Sequence, residues 1–220
     1  MIAVTFALAH ESADFRRLLA DRTREVAILH TGVGEKICRQ RIAPFLDSQP
    51  FDFVISSGFA GGVDPSLGVG DLLLAENFSD PALLARIRRL LPAQVVRLAT
   101  VDRIVETVAE RAQFARAYGA AAVDMETQWI AEACVERKIP FLALRVISDT
   151  AAAPFPAPPR VLFDLERQRT SPQQLLGYLL RHPGAIGRLI RFSRQISTAR
   201  ANLAVALDLV LRELGSPPAV

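Results

Sequence analysis

The chain has 220 residues, half of them in the hydrophobic set, with a formal net charge of +3. That supplies one large core and too little material for two well-packed domains of ordinary size, so a single domain over 1–220 is expected, with a C-terminal helical extension over about 171–214. A charge this modest, without zinc-finger spacing, an aromatic-basic strand motif or a long Lys/Arg run, argues against a nucleic-acid partner.

The first run, Met1-Ile2-Ala3-Val4-Thr5-Phe6, enters a strand over Ile2–Leu8 without a basic leader, and no uncharged apolar stretch approaches bilayer-spanning length. A helix near Ser12–Ala20 follows, then a strand Val26–His30, a helix Glu35–Leu46, and strands Asp52–Ser56 and Asp71–Ala75. The second half continues with a strand Val95–Ala99, a helix near Glu106–Tyr118, a strand Ala120–Val123, a helix from Met125 to Arg137 and the apolar strand Phe141–Ile147. This alternation predicts a three-layer α/β/α sandwich around a mainly parallel, mixed central sheet. Cys38 and Cys134 fall in two of the helices, without C-x-x-C or a nearby His cluster, which fits a reducing cytoplasm and gives no metal site. The proline-rich stretch from Ala151 to Pro159 reads as a loop, a candidate lid, because its prolines lack amides and have fixed φ. Ser171-Pro172 then reads as a cap and first turn, His182-Pro183-Gly184 as a break, and the rest to Leu214 as a long helix.

Three acids stand where strands run out: Glu11, Glu126 and Asp149. In open α/β sheets ligands bind at the carboxyl edge. Two glycine turns, Thr31-Gly32-Val33-Gly34 and Gly58-Phe59-Ala60-Gly61-Gly62, also follow strands and would let backbone approach a ligand there. Neither has the G-x-G-x-x-G spacing, which disfavours a dinucleotide-binding dehydrogenase. Junction acids also serve as ordinary helix caps, so spacing alone leaves both roles open. Arg145, inside an apolar strand, needs a buried carboxylate partner or a place in the site.

Ser57-Gly58-Phe59-Ala60-Gly61-Gly62-Val63-Asp64-Pro65 with Gly68-Val69-Gly70-Asp71-Leu72, then Val123-Asp124-Met125-Glu126-Thr127, then Arg145-Val146-Ile147-Ser148-Asp149, occur in one order. These segments resemble those of the purine nucleoside phosphorylase and methylthioadenosine/adenosylhomocysteine nucleosidase superfamily. The Arg-rich tail is similar to its hopanoid-associated phosphorylase branch. The resemblance implies cleavage of a purine, adenine-type nucleoside at its N-glycosidic bond, with an adenosylhopane-like substrate for that branch. It implies Glu126 stabilising the cationic sugar, Asp149 protonating purine N7, and Glu11 activating water. Met125 would pack on the ribose, with Phe59, Ala60, Gly61, Ser148, Ile104 and Phe155 completing the substrate site. For its role Asp149 needs desolvation or a neighbouring acid to keep its proton. The family stretch that brings an aromatic onto the purine corresponds to Thr100–Val105, which has none, so Phe59 or Phe155 would stack instead. No cofactor is implied, although phosphate would be a co-substrate for phosphorolysis. Ser56 and Phe59 stand where phosphorylases of the family place Arg and Ser, which favours hydrolysis. A homodimer or higher homo-oligomer is implied.

A nucleoside-binding protein without turnover is the competing reading, and an exposed Glu11 or an ionised Asp149 would favour it. Metal-dependent hydrolysis lacks clustered ligands. Arg181, Arg188, Arg191, Arg194 and Arg200, interleaved with Leu179, Leu180, Ile186, Leu189, Ile190, Phe192 and Ile196, suggest docking on an anionic membrane surface, peripheral to the inner membrane, or on a lipidic substrate; packing of these apolar residues on the sheet or a subunit partner, with the arginines solvated, is the alternative.

Overall fold

A computed structural model describes residues 1–19, 25–153, 155–158, 161 and 172–215. Among the described residues eight strands pair into one sheet: β1 (Ile2–Phe6), β2 (Val26–His30), β3 (Phe53–Gly62), β4 (Leu72–Ala75), β5 (Gln94–Val96), β6 (Leu98–Thr100), β7 (Ala122–Asp124) and β8 (Phe141–Asp149). The main order is β2-β1-β3-β8-β4-β5, while β7 joins the far end of β3 and carries β6. β2, β1, β3 and β8 run parallel to one another; β4 runs antiparallel to β8, and β7 antiparallel to β3. The sheet is therefore mixed, as its sequence pattern suggests.

Side-chain alternation decides what each face carries. On β1, Ile2, Val4 and Phe6 enter one core and Ala3 the other; on β8, Leu142, Leu144 and Val146 oppose Phe141, Ala143 and Ile147. The first core is covered by α1 (Ala13–Leu18), α3 (Pro81–Ile87) and the C-terminal half of α7 (Ala185–Gly215), through Phe15, Leu83, Ile87, Leu203, Leu207 and Leu211. The second is covered by α2 (Glu35–Asp47) and α5 (Thr127–Glu136), through Cys38, Ile42, Ile130 and Cys134. Both thiols are buried and free, and burial pushes each up to about 12. A smaller cluster, Val63, Ala99, Val101, Val105 and Val123, packs against α4 (Val108–Tyr118) through Phe114 and Ala115. Finally, α6 (Pro172–Arg181) precedes α7 across the break at 182–184.

Several boundaries differ from the sequence reading. The stretch Gly58–Gly62 is no turn: it continues β3, because β8 pairs along it as far as Gly61 and β7 takes up Gly61 and Gly62. The expected strand Val95–Ala99 is divided at Arg97 into β5 and β6, which pair with different partners, β4 and β7. Helix α3 is an addition, started by the Asp80 carboxylate accepting from the Ala82 and Leu83 amides, with Pro81 in the first turn. The proposed cap Ser171 lies outside the described residues.

Candidate active site

Each of the three junction acids is buried, and each is held differently. Glu11, 6% exposed, follows β1 and accepts hydrogen bonds from the Leu8 amide at 2.9 Å and the Phe59 amide at 3.4 Å. Its close approach to β3 depends on Gly58, which has φ +148°; a Cβ there would stand 3.3 Å from the Glu11 carboxylate. Burial raises the Glu11 pKa, while the two amides and Arg145 pull it down.

Glu126 follows β7 and accepts from the Gly34 amide at 3.0 Å, at the start of α2. Gly34, at φ +87°, supplies the left-handed turn that aims this amide, so the first glycine turn brings backbone to the site as expected. Burial, then Asp124 and then Glu11 push the Glu126 carboxyl up to about 8, against the opposing Gly34 amide and Arg145.

Asp149 ends β8 and is 3% exposed. Its Oδ2 takes a hydrogen bond from Arg111 of α4, and its Oδ1 accepts from the Ser148 hydroxyl at 2.7 Å. The desolvation that its expected role calls for is present. Its charged neighbour, however, is a guanidinium and not a second acid.

Beneath these groups Arg145 meets its need for a partner. Its guanidinium donates to Asp124 at 3.0 Å, to Ser56 Oγ at 2.7 Å and to Thr127 Oγ1 at 2.7 Å. Asp124 also accepts from the Thr100 hydroxyl at 2.8 Å and from the amide and hydroxyl of Thr127, which starts α5. This network ties β3, β6, β7, β8 and α5 together directly behind Glu126.

One cavity of about 430 Å³ collects Glu11, Glu126 and Asp149 on its wall, together with Met125, Phe59, Ala60, Gly61, Ser148, Ile104 and Phe155. Its size is in the range of small-molecule sites. All ten residues singled out from the sequence therefore face one space, which says where they are and not what they do. His10 also stands on this wall, its ring 6.0 Å from that of Phe59. Leu189, Phe192 and Ile196 of α7 add an apolar stretch to the wall, and Phe155 meets Phe192 edge-on at 5.7 Å.

Three features escaped the sequence reading. Asp124 was in view only as part of a motif, although the demand of Arg145 for an acid pointed to it. Arg111 gave no signal, because an arginine in a polar-apolar helix is ordinarily solvated. Leu189, Phe192 and Ile196 read as part of a general apolar face, and only the fold places them in a cavity wall.

Residues 75–181 match the family model described as Phosphorylase superfamily. Among curated relatives, the 5'-methylthioadenosine/S-adenosylhomocysteine nucleosidase of Staphylococcus aureus (strain MRSA252) is 26% identical over 161 residues, covering 59% of this chain and 71% of the relative. Among solved structures, a futalosine hydrolase mutant of Helicobacter pylori strain 26695 superposes with TM-score 0.73 at 16% identity, covering 96% of this chain and 98% of that one. A 5'-methylthioadenosine/S-adenosylhomocysteine nucleosidase from Colwellia psychrerythraea 34H in complex with adenine superposes with TM-score 0.70 at 20% identity, covering 97% and 95%. These likenesses bear on the fold.

Proposed function

We propose that the chain, whose residues 75–181 match the Phosphorylase superfamily model, hydrolyses the N-glycosidic bond of an adenine-type purine nucleoside and releases the free base. The observation that carries this reading is the convergence of Glu11, Glu126 and Asp149, from three strand ends, on one cavity. Breaking the bond makes an oxocarbenium-like sugar and an electron-rich base, so the site needs a negative group beside the ribose and a proton for the purine. Glu126 accepts from the ribose hydroxyls and faces the developing cation, with Met125 against the sugar. Asp149 passes its proton to N7 as the bonding pair moves onto the base. Water adds to the sugar carbon and loses its proton to Glu11, which is buried and amide-held, not exposed as in a pocket without turnover. No resident cofactor enters these steps.

Water is the preferred acceptor because the nearby cations are engaged. Arg145 is committed to Asp124, Arg111 to Asp149, and Arg103, on the cavity wall, to Glu110 at 2.6 Å. The apolar wall from α7 suits a nucleoside with a bulky apolar 5′ substituent, of which an adenosylhopane-like lipid is the extreme form. The test is Asp149→Asn: adenine release should fall about a hundredfold or more, and the wild-type rate should decline on the alkaline side. A flat profile together with a variant near wild-type rate would assign Asp149 to structure alone.

The same reading places the protein in the cytoplasm as a homo-oligomer, with peripheral membrane contact through α6 and α7. Among the described residues no helix is long and apolar enough to cross a membrane. Leu176, Leu180, Ile186 and Ile190 are exposed beside exposed Arg181, Arg188, Arg191 and Arg194, whereas Arg200 is taken up by Asp14 at 2.6 Å. Each arginine near an anionic surface contributes on the order of 1 kcal/mol. Co-sedimentation with anionic vesicles should weaken with added salt and fall when Arg181, Arg188 and Arg191 become glutamine. Absence of binding at low ionic strength would remove the membrane from the account.

A further inference from the structure

Arg111 is 1% exposed, and such burial of a guanidinium calls for a reason. Its helix begins with a capping box, in which the Thr107 hydroxyl accepts from the Glu110 amide and Glu110 accepts from the Thr107 amide. That cap fixes the first turn of α4 and so the point from which Arg111 departs. One nitrogen donates to the Gly62 carbonyl at 2.8 Å and another to Asp149 Oδ2, while Nε has no hydrogen-bond partner among the described residues. A Cβ on Gly61 would lie 3.4 Å from both Arg111 Nη1 and Asp149 Oδ2, so β3 flanks the pair closely. A guanidinium that leaves Nε unpartnered while holding a cavity-wall carboxylate is poorly explained by packing alone.

We propose that Arg111 is the positioning residue of purine protonation: it clamps one edge of the Asp149 carboxyl and leaves Oδ1 for the base. Resting on the reading of Asp149 as N7 donor, the inference adds a positioning element to it. The Ser148 hydroxyl completes the arrangement, since it reaches both Asp149 Oδ1 at 2.7 Å and the Ala60 carbonyl at 3.3 Å. It can turn to Ala60 when Oδ1 engages the purine. In the chemical step the proton leaves Oδ1 for N7, the C–N bonding pair passes to the base, and Oδ2 stays against Arg111. The carboxylate so formed is stabilised by that guanidinium until solvent returns a proton.

The test compares Arg111→Met and Arg111→Lys with wild type on two substrates: an adenine nucleoside, whose leaving group needs protonation, and p-nitrophenyl riboside, whose leaving group does not. Arg111→Met should lose adenine release by about a hundredfold and keep most of its p-nitrophenol release. Arg111→Lys retains the charge and should lose part of kcat on the nucleoside only. Equal loss on both substrates in folded Arg111→Met would overturn the proposal. Should Arg111→Met fail to fold, Arg111→Lys decides through the substrate comparison: selective loss on the nucleoside supports the role, and equal loss refutes it. If wild type cleaves neither substrate, the hydrolase reading itself falls, an outcome distinct from the failure of Arg111.

Discussion

Glu126→Gln should slow adenine release by at least about a hundredfold, the effect of removing one preorganised charge from a developing cation. It should do so without weakening the fold. Burial, Asp124 and Glu11 push this carboxyl from its ordinary 4.5 up to about 8. A group whose folded value is raised contributes stability that is fully present below its unfolded value and is lost as pH rises through the folded one. Glutamine cannot ionise, so the variant should gain on wild type across that window, and urea midpoints measured on either side of it would show the gap opening. The rate carries the opposite signature. Substrate binding needs the carboxylate, so wild-type kcat/KM should climb with pH towards about 8, a limb that the glutamine variant lacks. A variant near wild-type rate would end the assignment.

Arg145→Met should produce the largest loss of stability, about 3–5 kcal/mol, because it leaves Asp124 as an uncompensated anion deep in the sheet. Arg145 is 3% exposed and Asp124 6%. The three donors that remain to Asp124, from Thr100 and Thr127, offset part of the charge and cannot replace a cation. Asp124→Asn added to the same chain should therefore return part of the loss. Urea unfolding of the two variants decides it. A loss for Arg145→Met below about 1 kcal/mol, the value of an exposed pair, would show that this network does not brace the site.

Much of this was legible in the residues, for physical reasons that can be separated. Period-two alternation in β1 and β8 and the apolar stripes of α2 and α5 exist because both sheet faces must be covered, so the layers could be read directly. Arg145 announced a buried acid because an unpaired guanidinium there is untenable. The run Gly58–Gly62 was misread because glycine signals a turn locally, whereas pairing to β8 and β7 holds it extended. Asp80-Pro81 carried a start signal for α3 that was passed over. Arg111 was beyond reach of local pattern: its burial follows from where Asp149 and Gly62 lie in three dimensions.

The measurement that bears most directly on the whole account is adenine release by the wild-type chain from adenosine, methylthioadenosine and a 5′-alkyl adenosine, with and without phosphate, with the sugar product identified. Free adenine and an unphosphorylated sugar, at a rate indifferent to phosphate and greatest for an apolar 5′ substituent, are expected. No adenine from any of the three, or release only with phosphate and a sugar 1-phosphate as product, would contradict it.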